Sequence, residues 1–543
     1  MSELPATAKR VVIMPGNDAL SDVRVLKNLA TASRFGLDAV AIGVTRSGQA
    51  RTIRAGNARV EVIPVVPRTV HVGARGWWRN LKNVVRPWYR DDSEWKSASA
   101  LVAYKARNRA TTRQGRDAQR EPRVRGGAHQ SKPNAWSRAW GALDLFASRV
   151  VLKLRSTPLR AKQRRAFEDR ALSQVARERA IARYRRWPFR ARWRRVLPTI
   201  VDDDIVLGRV LDKIKPDLIH VHDVFMMGVA AAAAHRAAQA GRTVALVYDA
   251  REYLPGLAYL PPRTIAAYCD LEREFIADFD AVLTVSATLA QFLKRDHDLV
   301  SEPALVLNAP VVAPPGAGDP TVRDVLRLAA DVPLMVYIGG VNPARGVHTA
   351  IEALVPVPQA HLALLVNSRS HVVRELEDLA RSLGVSERLH LLPFVLPERV
   401  PHFLSTADIG LSTLLHVKNH DLALTNKFCE YLCAGLPVIT SDTPTQAEIV
   451  TAHGLGAVYT AGDPDDLARA VTDVLANLPA IRARVQDPVV QETYSWTGQA
   501  AVLRTTYESL IGPLPPQAWE PDATRLTHIS SDEPPAADWT YTP

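Results

Sequence analysis

The stretch ALTNKFCEYLCAGLPVITSDTPTQAEIV, residues 423–450, carries the residues best suited to chemistry. Lys427, Glu430 and Ala434 follow Thr425-Asn426 at i, i+3, i+7 spacing, which places them near one face of a helix. Gly435-Leu436-Pro437 must end that helix before a strand resumes. A carboxylate offers two oxygens and can accept both hydroxyls of a ribose cis-diol. A lysine one turn earlier, near a helix N-terminus, supports a phosphate through its point charge and the helix dipole. Such charge-assisted bonds are worth roughly 1.5–3 kcal/mol each. The same spacing also describes an ordinary surface Lys–Glu pair, and spacing alone leaves both readings open.

A second set lies in YIGGVNPARGVHTAIEAL, residues 337–354. Gly339 and Gly340 let the backbone approach a ligand closely, and Arg345-Gly346 precedes a helical run. A strand-to-helix loop with unpaired N–H groups and one arginine can cradle a phosphate. A third set ends the run PDLIHVHD: His220 and His222 alternate onto one side, followed by Asp223. These three could ligate a metal, or His222 and Asp223 could line an acceptor cleft. The three cysteines, Cys269, Cys429 and Cys433, give no disulfide framework and suit a reducing compartment.

Two runs of short apolar strands position these residues. RVVIM (10–14), DAVAIG (38–43), RVEVIPV (59–65), DLIHVH (217–222), TVALVYD (243–249), DAVLTV (280–285) and ALVL (304–307) alternate with helical patterns, the first from Asp22 to about Phe35. After a Pro- and Gly-rich linker at 309–320 the pattern restarts. VPLMVYI (332–338), HLALLV (361–366), RLHLL (388–392), IGLST (409–413), LPVIT (436–440) and GAVY (456–459) follow. Buried strands alternating with helices predict two doubly wound α/β domains, with ligands beyond the carboxyl ends of the strands. The division expected is 1–70 with 201–312, then 313–494, a helix at 495–512 and a disordered tail at 513–543.

The motif Asn426-Lys427-Phe428-Cys429-Glu430-Tyr431, running on to Gly435-Leu436-Pro437-Val438, resembles the donor-binding motif of family-4 glycosyltransferases. Residues 407–424, 454–471 and 337–354 resemble its flanking segments, and the N-terminal core resembles the family more weakly. The resemblance implies a GT-B fold, two Rossmann-like domains facing across a cleft, and a retaining reaction on a nucleotide-sugar substrate without a cofactor or an active-site metal. Carried over, Glu430 becomes the ribose-binding carboxylate, with Arg345 and Lys427 on the diphosphate. Gly339, Gly340, Gly346 and Asn426 surround the donor, and Pro393 and Val395 lie against its base. His222, Asp223, Asp249, Arg251 and Glu252 fall on the acceptor side.

Three positions depart from the family. Gly340 stands where many members have Arg, Leu422 where they have the first Glu of a Glu-x7-Glu pair, and Arg251 where VYDAREYLPG would read Asp-Ala-His-Glu. Asp22-Val23-Arg24-Val25 resembles the family's opening strand–loop–helix, with Arg24 reading as a solvated residue at the helix start. An epimerase or phosphorylase shares the fold. A catalytically degenerate scaffold is the alternative that the three departures support.

The net charge of +12 is concentrated in one segment. Residues 71–200 hold 33 Lys/Arg against 9 Asp/Glu and eight of the eleven Trp. This basic, Trp-rich insertion in the N-terminal domain suits an anionic membrane surface or a glycan or lipid-linked acceptor. A structural insert is the plainer reading, and nucleic acid the one least suited to its position. With no apolar leader and no spanning stretch, a cytoplasmic protein is expected, peripheral on the inner face of the plasma membrane.

Overall fold

The computed structural model describes residues 8–65 and 192–516, apart from 47–48, 56–57, 258–259, 317, 367–370 and 394. Between 66 and 191 it describes only fragments, chiefly a helix at Gln174–Arg186. The first sheet comprises β1 (Arg10–Met14), β2 (Asp38–Thr45), β3 (Arg51–Ala55), β4 (Ala58–Pro64), β5 (Leu218–His222), β6 (Ala245–Ala250), β7 (Ala281–Thr284) and β8 (Ala304–Leu305). Their order is β3-β4-β2-β1-β5-β6-β7-β8, and every pair is parallel except β3 with β4. The second sheet comprises β9 (Leu334–Ile338), β10 (His361–Leu365), β11 (Leu389–Leu392), β12 (Ile409–Ser412), β13 (Val438–Ser441) and β14 (Gly456–Tyr459). It is wholly parallel, in the order β11-β10-β9-β12-β13-β14.

Both sheets are doubly wound, as the alternation of buried runs predicted. Strand order reverses between β1 and β5 in one sheet and between β9 and β12 in the other. Loops on either side of a reversal diverge to opposite faces and leave a crevice for a ligand. The loop 339–346 and the segment from Thr413 to Thr425 leave from the second switch point, and Asp223 leaves from the first. The edge strand β3, RTIRA, is absent from the sequence reading because its one exposed face and two arginines hide the apolar signal.

The helix Val23–Arg34 is capped by the Asp22 carboxylate, which accepts from the Val25 N–H at 3.2 Å. It buries polar as well as apolar residues: Arg24, Lys27, Asn28 and Thr31 are all at most 6% exposed. Arg24 was expected in solvent, and at 1% exposure it lies in the core instead. Against this helix packs Trp496–Ile511, which follows the second sheet in sequence but belongs to the first sheet's core. Its buried residues Trp496, Ala500, Leu503 and Tyr507 recur at helical spacing. The Trp496 Nε1–H donates to Thr31 Oγ1 at 2.8 Å, and Lys27 Nζ lies 4.6 Å from the indole centroid.

The chain stays ordered beyond this helix. Leu514 is buried, and the Arg504 guanidinium donates to the Leu514 and Pro515 carbonyls at 2.8 and 2.6 Å. The disorder expected from residue 513 therefore does not hold for 513–516, and 517–543 lie outside the described residues. Of the eight tryptophans counted in the basic segment, only Trp193 is described. It is a core residue, with its Nε1–H on Glu274 at 2.7 Å and its ring edge-on to Phe275. Among the described residues no helix is long and apolar enough to cross a membrane.

Replacing Trp496 with Ala should remove about 3–5 kcal/mol of stability, read as a lowered urea midpoint. Thr31→Val should cost less, about 1–3 kcal/mol, because it strands only the indole N–H.

Candidate active site

The donor-side residues converge around the β9 carboxyl end. Gly339 has φ +111° and Gly346 φ +65°, both in the left-handed region that glycine tolerates. A side chain at Gly346 would put its Cβ 2.0 Å from the Thr413 carbonyl, so the turn can close only on glycine. Asn342 Oδ1 accepts from the Arg345 N–H at 3.1 Å, and Thr413 Oγ1 donates to the Arg345 carbonyl at 2.7 Å. Arg345 is thereby held beside the glycine turn. Gly340 is exposed, and nothing stands within 4 Å of where its Cβ would be.

The helix Asn426–Cys433 presents its N-terminal turn to this loop. Tyr431 clamps the helix to both strands of the switch point: its hydroxyl accepts from the Ile338 N–H at 3.1 Å and donates to the Leu411 carbonyl at 3.0 Å. Gly410 makes room, since a Cβ there would lie 2.2 Å from the Tyr431 ring. One turn earlier, Lys427 is 5% exposed with its Nζ 3.4 Å from the Tyr337 ring centroid and no hydrogen-bond acceptor. Its Cε is the atom nearest to the space above Gly339. Burial, and then the Arg345 cation, push the Lys427 pKa well below the usual lysine range. A buried nitrogen with no hydrogen-bond partner is costly, and the open turn at Gly339 and Gly340 lies beside it. Glu430 follows at i+3, its carboxyl raised to about 6 by burial against the opposing pull of Lys27 and Lys427.

Asn426 is exposed and accepts from Asn308 Nδ2 at 2.9 Å. Pro393 is exposed just past β11, whereas Val395 is 6% exposed within the second sheet's core. Val395 belongs to the same core cluster as Leu392, Val400 and Phe403.

The acceptor-side set divides in two. Asp249 and His222 are wholly buried, so neither lines a cleft as the sequence suggested. Arg24 takes both Asp249 oxygens at 2.6 and 2.8 Å and also donates to the Val306 carbonyl at 2.8 Å. His222 Nδ1 lies 3.2 Å from Asp249, its Nε2 lies 3.1 Å from Asn28 Nδ2, and its ring stacks on His220 at 4.5 Å. His220 Nδ1 meets the Tyr507 hydroxyl at 2.8 Å. The metal-like cluster is thus His220, His222 and Asp249, and Asp223 has no part in it. Its carboxylate already has a cation in Arg24, which an added metal would have to displace.

The other half is partly exposed. Arg251 bridges Asp22, at 2.9 and 3.1 Å, to Asp223. Asp223 turns there with φ +68°, an uncommon conformation for a non-glycine residue at a ligand-facing loop. Burial raises its carboxyl, opposed by Arg251. Glu252 is exposed beside them. Leu422, the third departure, is buried in the first sheet's core cluster, and its carbonyl accepts from Ser286 Oγ at 2.5 Å. Asp421 next to it is held by His416 at 2.7 Å.

Two family models match the chain: Glycosyltransferase Family 4 over residues 150–311 and Glycosyl transferases group 1 over 319–486, more than half of its length between them. The chain belongs to the family-4 glycosyltransferases. The D-inositol 3-phosphate glycosyltransferase of Xylanimonas cellulosilytica is 26% identical over 249 residues, 44% of this chain and 58% of that protein. The lipopolysaccharide core biosynthesis glycosyltransferase LpsE of Rhizobium meliloti is 27% identical over 165 residues, 30% of this chain and 46% of that protein. The chain thus spans about half the length of the curated relatives it matches. Among solved structures, sucrose-phosphate synthase from Thermosynechococcus elongatus superposes with TM-score 0.55 at 14% identity, over 92% of this chain and 99% of that one. The trehalose-6-phosphate protein of E. coli, bound with UDP-2-fluoro glucose, gives 0.50 at 12% identity, over 93% and 100%. The fold of this family-4 chain is GT-B.

Sequence reasoning missed Arg24, Lys27, Asn28, Asn308 and Tyr507 as parts of the site's support. One signal was available: 24, 27, 28 and 31 fall at i, i+3, i+4, i+7, a polar stripe where a helix between strands should be apolar.

The buried histidines give this glycosyltransferase an acid-sensitive core. Burial lowers His220 to about 4 and His222 well below its usual value, so both are neutral in the folded chain. A base depressed on folding is protonated first in the unfolded chain. Stability is therefore full above about pH 6.5 and falls as pH drops towards 4. Urea midpoints measured from pH 7.5 to 4.5 should show this decline, and His220→Gln should make it shallower.

Proposed function

We propose that this chain is a retaining glycosyltransferase moving a hexose from a UDP- or GDP-sugar to a glycolipid, polysaccharide or other glycoconjugate acceptor. The observation that carries the reading is the buried Lys427 amino group, which has no hydrogen-bond partner and sits between the Gly339 turn, Arg345 and the Glu430 carboxylate. A diphosphate supplies the missing acceptor, and a ribose diol attached to it reaches a carboxylate one turn along the same helix. The two curated relatives named above are glycosyltransferases, and the E. coli neighbour's UDP-2-fluoro glucose makes a UDP-hexose the first donor class to test.

In this mechanism the bond between the sugar's anomeric carbon and the diphosphate breaks while one to the acceptor oxygen forms on the same face. The acceptor proton passes to the departing phosphate. Arg345, Lys427 and the N–H groups of the 339–346 loop stabilise the charge that develops on that phosphate. Asp22, Asp223, Arg251 and Glu252 form the facing wall, a polar surface for acceptor hydroxyls. The basic segment 71–200 would bring the enzyme to an anionic membrane carrying its acceptor, at the cytoplasmic face. In the described part of that segment, Arg179, Arg183 and Arg186 are exposed on the helix Gln174–Arg186.

A thermal-shift screen with UDP, GDP, ADP and their sugars tests the donor site. A nucleotide at 100 times its Kd adds about 2.7 kcal/mol of stability. One base should stabilise the chain, and Glu430→Ala should abolish most of that shift while leaving the unliganded melting temperature nearly unchanged. No shift with any nucleotide would overturn the donor reading in favour of a degenerate scaffold.

A further inference from the structure

We infer that Lys27, on the domain opposite the donor helix, is a positioning residue for Glu430. It is the start of a hydrogen-bonded relay that fixes the helix carrying that carboxylate. The inference rests on the donor-site reading above. Lys27 stands in the buried polar stripe of the helix Val23–Arg34, 6% exposed. Its Nζ donates to the Ala309 carbonyl at 2.5 Å and to Asn308 Oδ1 at 2.8 Å, both in the strand-to-strand linker between the two sheets. Asn308 Nδ2 in turn donates to Asn426 Oδ1 at 2.9 Å, at the first residue of the Glu430 helix. Three side chains thus join the first domain, the linker and the donor helix in one line.

The relay explains why a lysine is placed there. The Asn308 amide must present its oxygen to the ammonium, and that orientation leaves its N–H2 to reach Asn426. The ammonium also packs on the Trp496 ring, 4.6 Å from its centroid, so its place is set by the helix that closes the first domain's core. The charged and titratable groups facing Glu430 are Lys27 from the first domain and Lys427, Cys429, Tyr431 and Cys433 from its own helix. Lys27 is foremost among those favouring the carboxylate, ahead of Lys427, whose own charge is suppressed by burial. Burial and Arg24 bring Lys27 itself to about 7, with Glu430 opposing them. Two such groups titrate as a pair. Removing the lysine leaves a buried carboxyl with weaker support, and its proton returns at higher pH.

The test is calorimetric titration of the full chain with UDP-glucose and GDP-mannose between pH 5.5 and 8. The diphosphate diesters of these probes carry no proton in that range, so the acid limb of binding reports on the protein. In the unaltered chain affinity should fall as pH drops through about 6, where Glu430 becomes protonated. In Lys27→Met, which keeps the apolar stem over Trp496, that limb should move to higher pH, and affinity at pH 7.5 should fall roughly three- to tenfold. Lys27→Met combined with Glu430→Gln should lose no more than Glu430→Gln alone, because one residue acts through the other. Asn308→Leu breaks the relay at its centre without altering a residue placed against the donor, and it should weaken both probes even if Lys27→Met does not fold. A Lys27→Met profile parallel to the unaltered one, or losses that add in the double variant, would overturn the inference and leave the donor site standing. Binding of neither probe by the unaltered chain would overturn both.

Discussion

The bidentate pair between Arg24 and Asp249 is the constraint on which the first domain is organised. Both partners are essentially without solvent, and each alone would be a buried charge costing several kcal/mol. Together they fix the helix Val23–Arg34 against the end of β6 and, through the Val306 carbonyl, against the chain leaving β8. The rest of the polar stripe repeats the device one helical step at a time. Lys27 holds the linker, Asn28 meets His222 at the end of β5, and Thr31 accepts from Trp496 of the closing helix. One helix face therefore gathers the ends of β5 and β6, the chain leaving β8 with the linker beyond it, and the last of the described helices. An apolar face would bury as much area, but it would not specify which carbonyl or ring each position meets.

Neutral histidines belong to the same design. With Asp249 already satisfied by Arg24, a second cation beside it would be surplus, and burial keeps His220 and His222 unprotonated. Stacked at 4.5 Å, they bridge the Arg24–Asp249 pair to the Tyr507 hydroxyl and so extend the network into the helix Trp496–Ile511.

The two sheets were legible in the sequence because a parallel strand buried on both faces reads as an unbroken apolar run, and thirteen such runs stand at or within a few residues of the strands formed. That Gly339, Arg345, Lys427 and Glu430 stand near one another was readable for a different reason: they lie in one short loop and one helix, each readable locally. The Arg24 network was not. Its partners are 194 to 287 positions apart in sequence, and the polar stripe of 24, 27, 28 and 31 carries no sign of what each residue meets. The same holds for His222 and Asp249, whose types suggested an open cleft and whose partners enclose them. Val395 is ambiguous for the opposite reason, since a valine after a strand serves a core as readily as a ligand, and here it is buried in a core cluster.

Two of the departures from the family pattern change meaning once their surroundings are known. Arg251 is not a bare substitution. Asp22 and Asp223 neutralise it, one carboxylate from each side of the first switch point, and Asp22 also caps the helix that carries Arg24 and Lys27. Leu422 is not an empty place on the donor side either, because it is inserted into the first domain's core and its backbone is bonded to Ser286. The segment that carries it is thus anchored across the cleft by apolar burial, where an acidic side chain would have to stay wet. Thr445 reinforces the anchor, donating to the Asp421 carbonyl at 2.8 Å and lying 3.0 Å from the Thr288 hydroxyl. The position that gives up a donor-side carboxylate gains a domain contact. The proposed nucleotide site is then left to the Gly339 turn, Arg345 and the one helix whose first residue is tied to Lys27 through the linker.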